Sequence, residues 1–211
     1  MIAVANQKGG VGKTTTSVNL AAALAQAGRR VLLVDLDPQG NATMGSGVDK
    51  RAAARTVYHL LLGLGDIGGV RLHAEKGGYD LLPANRELAG AEIELVDLEA
   101  RETRLKSALE RVAADYDFIL IDCPPSLSLL TVNALAAAQR VLIPMQCEYY
   151  ALEGLTALVD TIEKIRRVIN PRLEIEGLLR TMYDPRNNLA NDVSAQLLEH
   201  FGDKVYRTMV R

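Results

Sequence analysis

An apolar stretch at 2–5 runs straight into the glycine-rich segment QKGGVGKTTT at 7–16, which opens an alanine- and leucine-rich stretch that stops at Gly28. Strand, glycine loop and helix in that order make a phosphate-binding unit. A unit of this kind needs a neighbouring parallel strand to close the sheet, so the rest of the chain must supply crossovers. Gly28 suits a left-handed helix cap, and Arg29 and Arg30 follow it.

Further short apolar runs lie at 31–35, 79–82, 118–122, 141–145 and 175–179, separated by helical patterns. The alternation predicts an α/β fold, a mostly parallel β-sheet flanked by helices on both faces. Apolar positions Leu95, Leu98, Leu105, Leu109 and Val112 predict a helix within 86–114, with Glu102 and Lys106 four apart on its exposed side. A second helix is expected at 152–169, stopped by Asn170 and Pro171. The final segment, KVYRTMVR, reads as a strand with no helix after it. With 211 residues, one domain spanning 1–211 is expected.

Composition narrows the function classes. A net charge of -2 makes no global case for nucleic acid, although 164–211 carries 9 Lys and Arg against 6 Asp and Glu, a local excess of three. Cys123 and Cys147 lack any CxxC spacing, which speaks against a disulfide framework or a metal knuckle. The uncharged run 123–139 contains Pro124, Pro125 and several hydroxyl residues, so it is not read as membrane-spanning. A soluble, cytoplasmic chain is the expectation.

The loop carries the chemistry. Gly9, Gly10 and Gly12 let the backbone wrap with its N–H groups inward, and the helix N-terminus behind them favours an anion. Lys13 can reach the β- and γ-phosphates of a nucleotide, the Thr14 hydroxyl can ligate Mg²⁺, and Thr15 can add a phosphate contact. Lys8 is a second lysine that this arrangement does not need. Two acids, Asp35 and Asp37, end the second apolar run in LLVDLDPQGNAT, and Asp122 ends FILIDCPPS. Acids at the carboxyl ends of parallel strands lie beside the ligand crevice of such sheets. Asp122 suits a Mg²⁺-holding role, directly or through water. Asp35 either orders Mg²⁺ waters or hydrogen-bonds to its loop.

The KGGVGKT string resembles the deviant Walker A motif of the ParA/MinD family of P-loop ATPases. The segments at 79–95, 146–155 and 181–193 are more similar to the chromosomal ParA (Soj) branch than to MinD. The resemblance implies ATP and Mg²⁺ as cofactors, bound over Gly9, Gly10, Val11, Gly12, Lys13, Thr14 and Thr15. It implies that Lys8 reaches across a nucleotide-sandwich homodimer to the partner's ATP, that Asp37 in switch I positions the attacking water, and that 123–126 is switch II. It further implies a nucleoid-associated ATPase of chromosome or plasmid partitioning whose dimer binds DNA non-specifically and is released when a ParB-type partner stimulates hydrolysis, with no membrane involved. Arg186 matches a basic position on the DNA-binding face; Arg207 and Arg211 are weaker candidates. Relatives usually continue into an adenine loop and a closing helix, so a chain shorter than the natural protein is expected at the C-terminus. The rivals are a MinD-like membrane-cycling ATPase, a small-molecule P-loop kinase or ligase, and a nucleotide-gated scaffold with negligible hydrolysis.

Overall fold

The computed structural model describes residues 1–149 and 151–211; Tyr150, within the 146–155 segment, lies outside them. The elements run β1 (Ile2–Val4), α1 (Lys13–Gln26), β2 (Val31–Asp35), α2 (Asn41–Gly45), α3 (Val57–Leu62), α4 (Ile67–Val70), β3 (Leu72–Ala74), β4 (Tyr79–Leu82), α5 (Leu88–Glu94) and α6 (Arg104–Glu110). They continue with β5 (Phe118–Asp122), α7 (Leu129–Ala137), β6 (Arg140–Gln146), α8 (Ala151–Val168), β7 (Glu174–Thr181), α9 (Asn188–Phe201) and β8 (Val205–Met209).

The strands form one sheet in the order β3-β4-β2-β5-β1-β6-β7-β8. Every pairing is parallel except β3 with β4, a short antiparallel edge that the sequence pattern did not announce. Side chains alternate across β2: Leu32 and Val34 join the larger core with α3, α5, α6 and α7, while Val31 and Leu33 join a smaller core with Ala21 of α1. Both faces of the sheet are therefore covered, as near-continuous apolar strands require. The order places β1, with the phosphate loop at its carboxyl end, between β5 and β6 in the middle of the sheet.

The helix expected within 86–114 is broken. α5 passes through a 3-10 turn at Leu95–Asp97, Leu98 is extended, and Ala100 takes φ 51 before α6 starts at Arg104. Glu102 accordingly pairs with Arg101 rather than with Lys106. A side chain from outside the segment stabilises the break: Asn133 accepts from the Leu105 N–H at 3.1 Å and donates to the Arg101 carbonyl at 2.7 Å. The apolar period survives because Leu95, Leu105 and Leu109 all reach the same core. The expected helix at 152–169 is present one residue earlier as α8, and the terminal strand is β8, on the sheet edge.

Candidate functional site

The phosphate loop is built around Gly12, whose φ of 88 lies in the left-handed region that side chains disfavour. No side chain caps α1, so its leading N–H groups are left for a ligand. Lys13, Ser17 and Ala21 share the buried face of α1 at successive helical turns, which anchors the loop's exit against the sheet. The other side of the loop is held by Thr181 at the end of β7, whose hydroxyl donates to the Val11 carbonyl at 2.8 Å. At its base, Asn6 donates to the Pro144 carbonyl at 2.8 Å and accepts from the Lys8 N–H at 3.0 Å. The loop is thus clamped to β6 and β7 as well as to its own strand and helix.

A cleft of about 520 Å³ opens over it, lined by Gly9, Gly10, Gly12, Lys13, Thr14 and Thr15, with Asp37 and Gln39 on one side and Met182 and Val210 on the other. Its volume suits a nucleotide-sized ligand. The two lysines of the loop behave differently. Lys13 is 7% exposed and its ammonium donates to the Lys8 carbonyl at 2.9 Å, closing the loop on itself. Burial lowers the Lys13 pKa, and Asp122, Cys123 and Asp37 oppose that shift. Lys8 turns its ammonium out of the cradle onto Glu148, between β6 and α8.

Asp35 and Asp122 are in register on neighbouring strands, and both are fully buried. Burial, reinforced for Asp35 by the charge of Asp122, pushes Asp35 up to about 7 and Asp122 up to about 6. Asp122 accepts from the Thr14 hydroxyl at 2.7 Å and from the Ser17 hydroxyl at 2.9 Å. This donor set, a buried carboxylate beside a hydroxyl with a second acid nearby, fits Mg²⁺, which takes one or two carboxylates and keeps several waters. Asp35 has both oxygens engaged by its own loop: one accepts from the Thr43 N–H and hydroxyl, each at 2.7 Å, and the other from the Asp37 N–H at 3.1 Å. Of its two open roles, the hydrogen bonds to the loop are the one seen in the geometry. Asp37 lines the cleft and forms an Asx turn, accepting from the Gln39 N–H at 2.8 Å.

Cys123 is 1% exposed, and burial raises its thiol pKa, as expected of a small hydrophobic residue. Arg186 stands apart from the cleft, its side chain 89% exposed and ion-paired to Asp184 at 2.8 Å. Arg211 lines the cleft over the glycine loop, which was not expected, and Arg207 is exposed on β8. Sequence reasoning missed Ser17, Thr43, Glu148 and Thr181. Only Ser17 had a signal, three positions after Thr14 on a helix, which puts both hydroxyls on one face. The other three depend on contacts across the sheet.

Residues 1–175 match the AAA domain family. The chain is 54% identical over 210 residues to the sporulation initiation inhibitor protein Soj of Bacillus subtilis, covering 100% of this chain and 83% of that protein. It is 56% identical over 209 residues to the chromosome-partitioning ATPase Soj of Thermus thermophilus, covering 99% and 80%. Among solved structures, a Mycobacterium smegmatis protein named cobyrinic acid a,c-diamide synthase, bound to an ATP analogue and magnesium, superposes with a TM-score of 0.90 at 44% identity, covering 95% of this chain and 82% of that one.

Proposed function

This chain belongs to the ParA/Soj family of partitioning ATPases, and we propose on that premise that it is a Mg²⁺-dependent ATPase working as a nucleotide-controlled DNA-binding switch. The observation that carries the reading is the divergence of the two loop lysines: Lys13 is folded into the cradle, whereas Lys8 projects its ammonium away from it. A cation that leaves its own phosphate site is available to a facing copy's nucleotide. ATP binding and dimerisation then become one event.

In this reading the N–H groups of Gly9 to Thr15 and the Lys13 ammonium hold the phosphates. Thr14 and Asp122 hold Mg²⁺, directly or through water, and the ion supplies charge neutralisation on the phosphates. Asp37 orients the water that displaces ADP from the γ-phosphorus, giving ADP and inorganic phosphate. Lys8 of the facing copy stabilises charge on the transferring group, the role an arginine finger plays elsewhere. Asp35 positions Asp37 and Thr43 from beneath. The dimer binds DNA non-specifically through phosphate contacts, with Arg186 among them, and a ParB-type partner ends the bound state by stimulating hydrolysis. Salt should weaken that binding steeply.

The likeness to the protein named a synthase favours one second reading, ATP-driven chemistry on a small acceptor. Single-turnover hydrolysis with purified protein, ATP and Mg²⁺ separates the two. Turnover without any acceptor, together with DNA retention that requires ATP, supports the partitioning reading. ATP consumption that waits for an acceptor, with no DNA retention, refutes it.

A further inference from the structure

Two hollows lined by basic side chains sit at opposite ends of the strands on the β4 side of the sheet. The one at the amino ends of β2 and β4, about 340 Å³, includes Arg30, Arg71, His73, Asp80 and Tyr116. Most of its basic side chains are answered within the chain: Arg30 pairs with Asp117 at 3.1 Å, Arg71 lies 3.8 Å from Asp80, and the His73 ring is hydrogen-bonded to Asp80 at 2.9 Å. Arg29, also on the lining, forms no ion pair among the described residues but lies near enough to Asp117 to help lower its pKa. The other hollow, about 380 Å³, lies beyond the carboxyl end of β4 and is lined by Lys50, Arg51, Asn85, Arg86 and Glu87. Among the described residues none of its three cations forms an ion pair. Its one carboxylate, Glu87, accepts from the Asn85 amide at 3.3 Å.

This second hollow connects to the nucleotide cleft. The Lys50 ammonium donates to the Gln39 carbonyl, and Gln39 lines the cleft beside Asp37. The turn packs closely there: a Cβ on Gly40, where φ is 61, would lie 2.6 Å from the Ala84 carbonyl oxygen and 2.8 Å from Lys50 Cδ. Lys50 therefore reaches from the cationic hollow to the turn that carries Asp37.

We propose that the Lys50–Arg51–Arg86 hollow binds a phosphate group, and that this phosphate competes with the Gln39 carbonyl for the Lys50 ammonium. A phosphate is a charged acceptor and a carbonyl a neutral one, so the lysine favours the phosphate when it is present. Two guanidinium forks beside it can each take two phosphate oxygens at once. Occupancy frees the Gln39 turn and so changes how Asp37 is held. The phosphate comes from one of two sources, the backbone of bound nucleic acid or a free polyphosphate; only the first rests on the DNA-binding reading above.

The test uses the full chain saturated with magnesium and AMPPNP, so that the phosphate loop is filled, with inorganic pyrophosphate and a short DNA duplex as probes. Wild type is compared with Arg51→Ala/Arg86→Ala and with Arg186→Ala, each first shown to melt like wild type. A free-anion site predicts that the double variant loses about tenfold in pyrophosphate affinity by calorimetry. A nucleic-acid site predicts weaker duplex binding, with the salt slope falling by about two, one for each lost phosphate contact. In either case the effective probe raises amide hydrogen exchange over 37–42 in wild type and not in the double variant. The proposal is overturned if wild type binds neither probe or if the double variant binds both as wild type does. If the duplex fails to bind even wild type while pyrophosphate still distinguishes the double variant, the DNA-binding reading falls and this site stands.

Discussion

At the carboxyl ends of β2 and β5, Asp35 and Asp122 are buried side by side and held by hydroxyls and backbone N–H groups, with the Lys13 ammonium nearby. At the amino ends of the same strands, Arg30 and Asp117 form a pair with side chains 60% and 35% exposed. The first arrangement raises both carboxyl pKa values by burial, with like charges adding to it; the second closes its charges locally and lowers the Asp117 pKa through the Arg30 contacts. The contrast teaches where to look for function in an open parallel sheet. Groups kept in an unfavourable state in the absence of ligand mark the working edge, and groups already satisfied mark the edge that only holds the fold together.

Substitutions at the two edges should therefore differ widely in effect. Lys13→Ala removes the buried ammonium of the cradle and should lower Mg²⁺-ATP affinity by roughly a hundredfold in calorimetry. Affinity within a few-fold of wild type would mean that the cleft is not the nucleotide site. Asp37→Ala should slow single-turnover hydrolysis by about a hundredfold or more while leaving ATP affinity nearly unchanged. Loss of both in parallel would make Asp37 a structural residue of its turn.

The contrast also has a pH signature. Asp35 and Asp122 have folded-state pKa values above their ordinary 3.8, so the folded chain binds their protons more tightly than the unfolded chain does. Their contribution is fully present below about pH 4 and is lost as pH rises through about 6 and 7. The melting temperature of the nucleotide-free chain should accordingly fall between pH 5 and pH 8 on this account, and Mg²⁺-nucleotide should restore it. Asp117 titrates the other way: its stabilisation is lost only as pH drops below its ordinary range, so Asp117→Ala should leave the profile between pH 5 and pH 8 unchanged. A flat profile in the wild type would remove the argument for two strained carboxylates.

The smallest expected effect concerns Glu148. Its pair with Lys8 has both side chains partly exposed, 40% and 43%, so it holds the lysine weakly. Glu148→Gln should lower the ATP concentration needed for dimerisation by about threefold at most. A rise instead would place Glu148 in the dimer contact itself.

The working edge was largely legible in the sequence because its signals are local. The glycine loop, the runs ending in Asp35 and Asp122, and the bounds of β2, β4 and β5 come from contiguous residues. What escaped depends on contacts distant in the chain. The helix expected within 86–114 breaks because Asn133 satisfies backbone groups at Arg101 and Leu105. The loop clamp by Thr181 bridges 170 positions. β3 is too short and too exposed to show an apolar pattern, and α7 is apolar on nearly every side, so it offered no helical period to read.

The central claim is that Lys8 acts on a facing copy, and the most direct measurement is the molar mass in solution by light scattering, with and without Mg²⁺-ATP, for wild type and Lys8→Ala. Wild type should double its mass only with Mg²⁺-ATP, and Lys8→Ala should remain monomeric although it still binds the nucleotide. A Lys8→Ala chain that dimerises with ATP as wild type does, or a wild type that stays monomeric with ATP bound, would contradict the account.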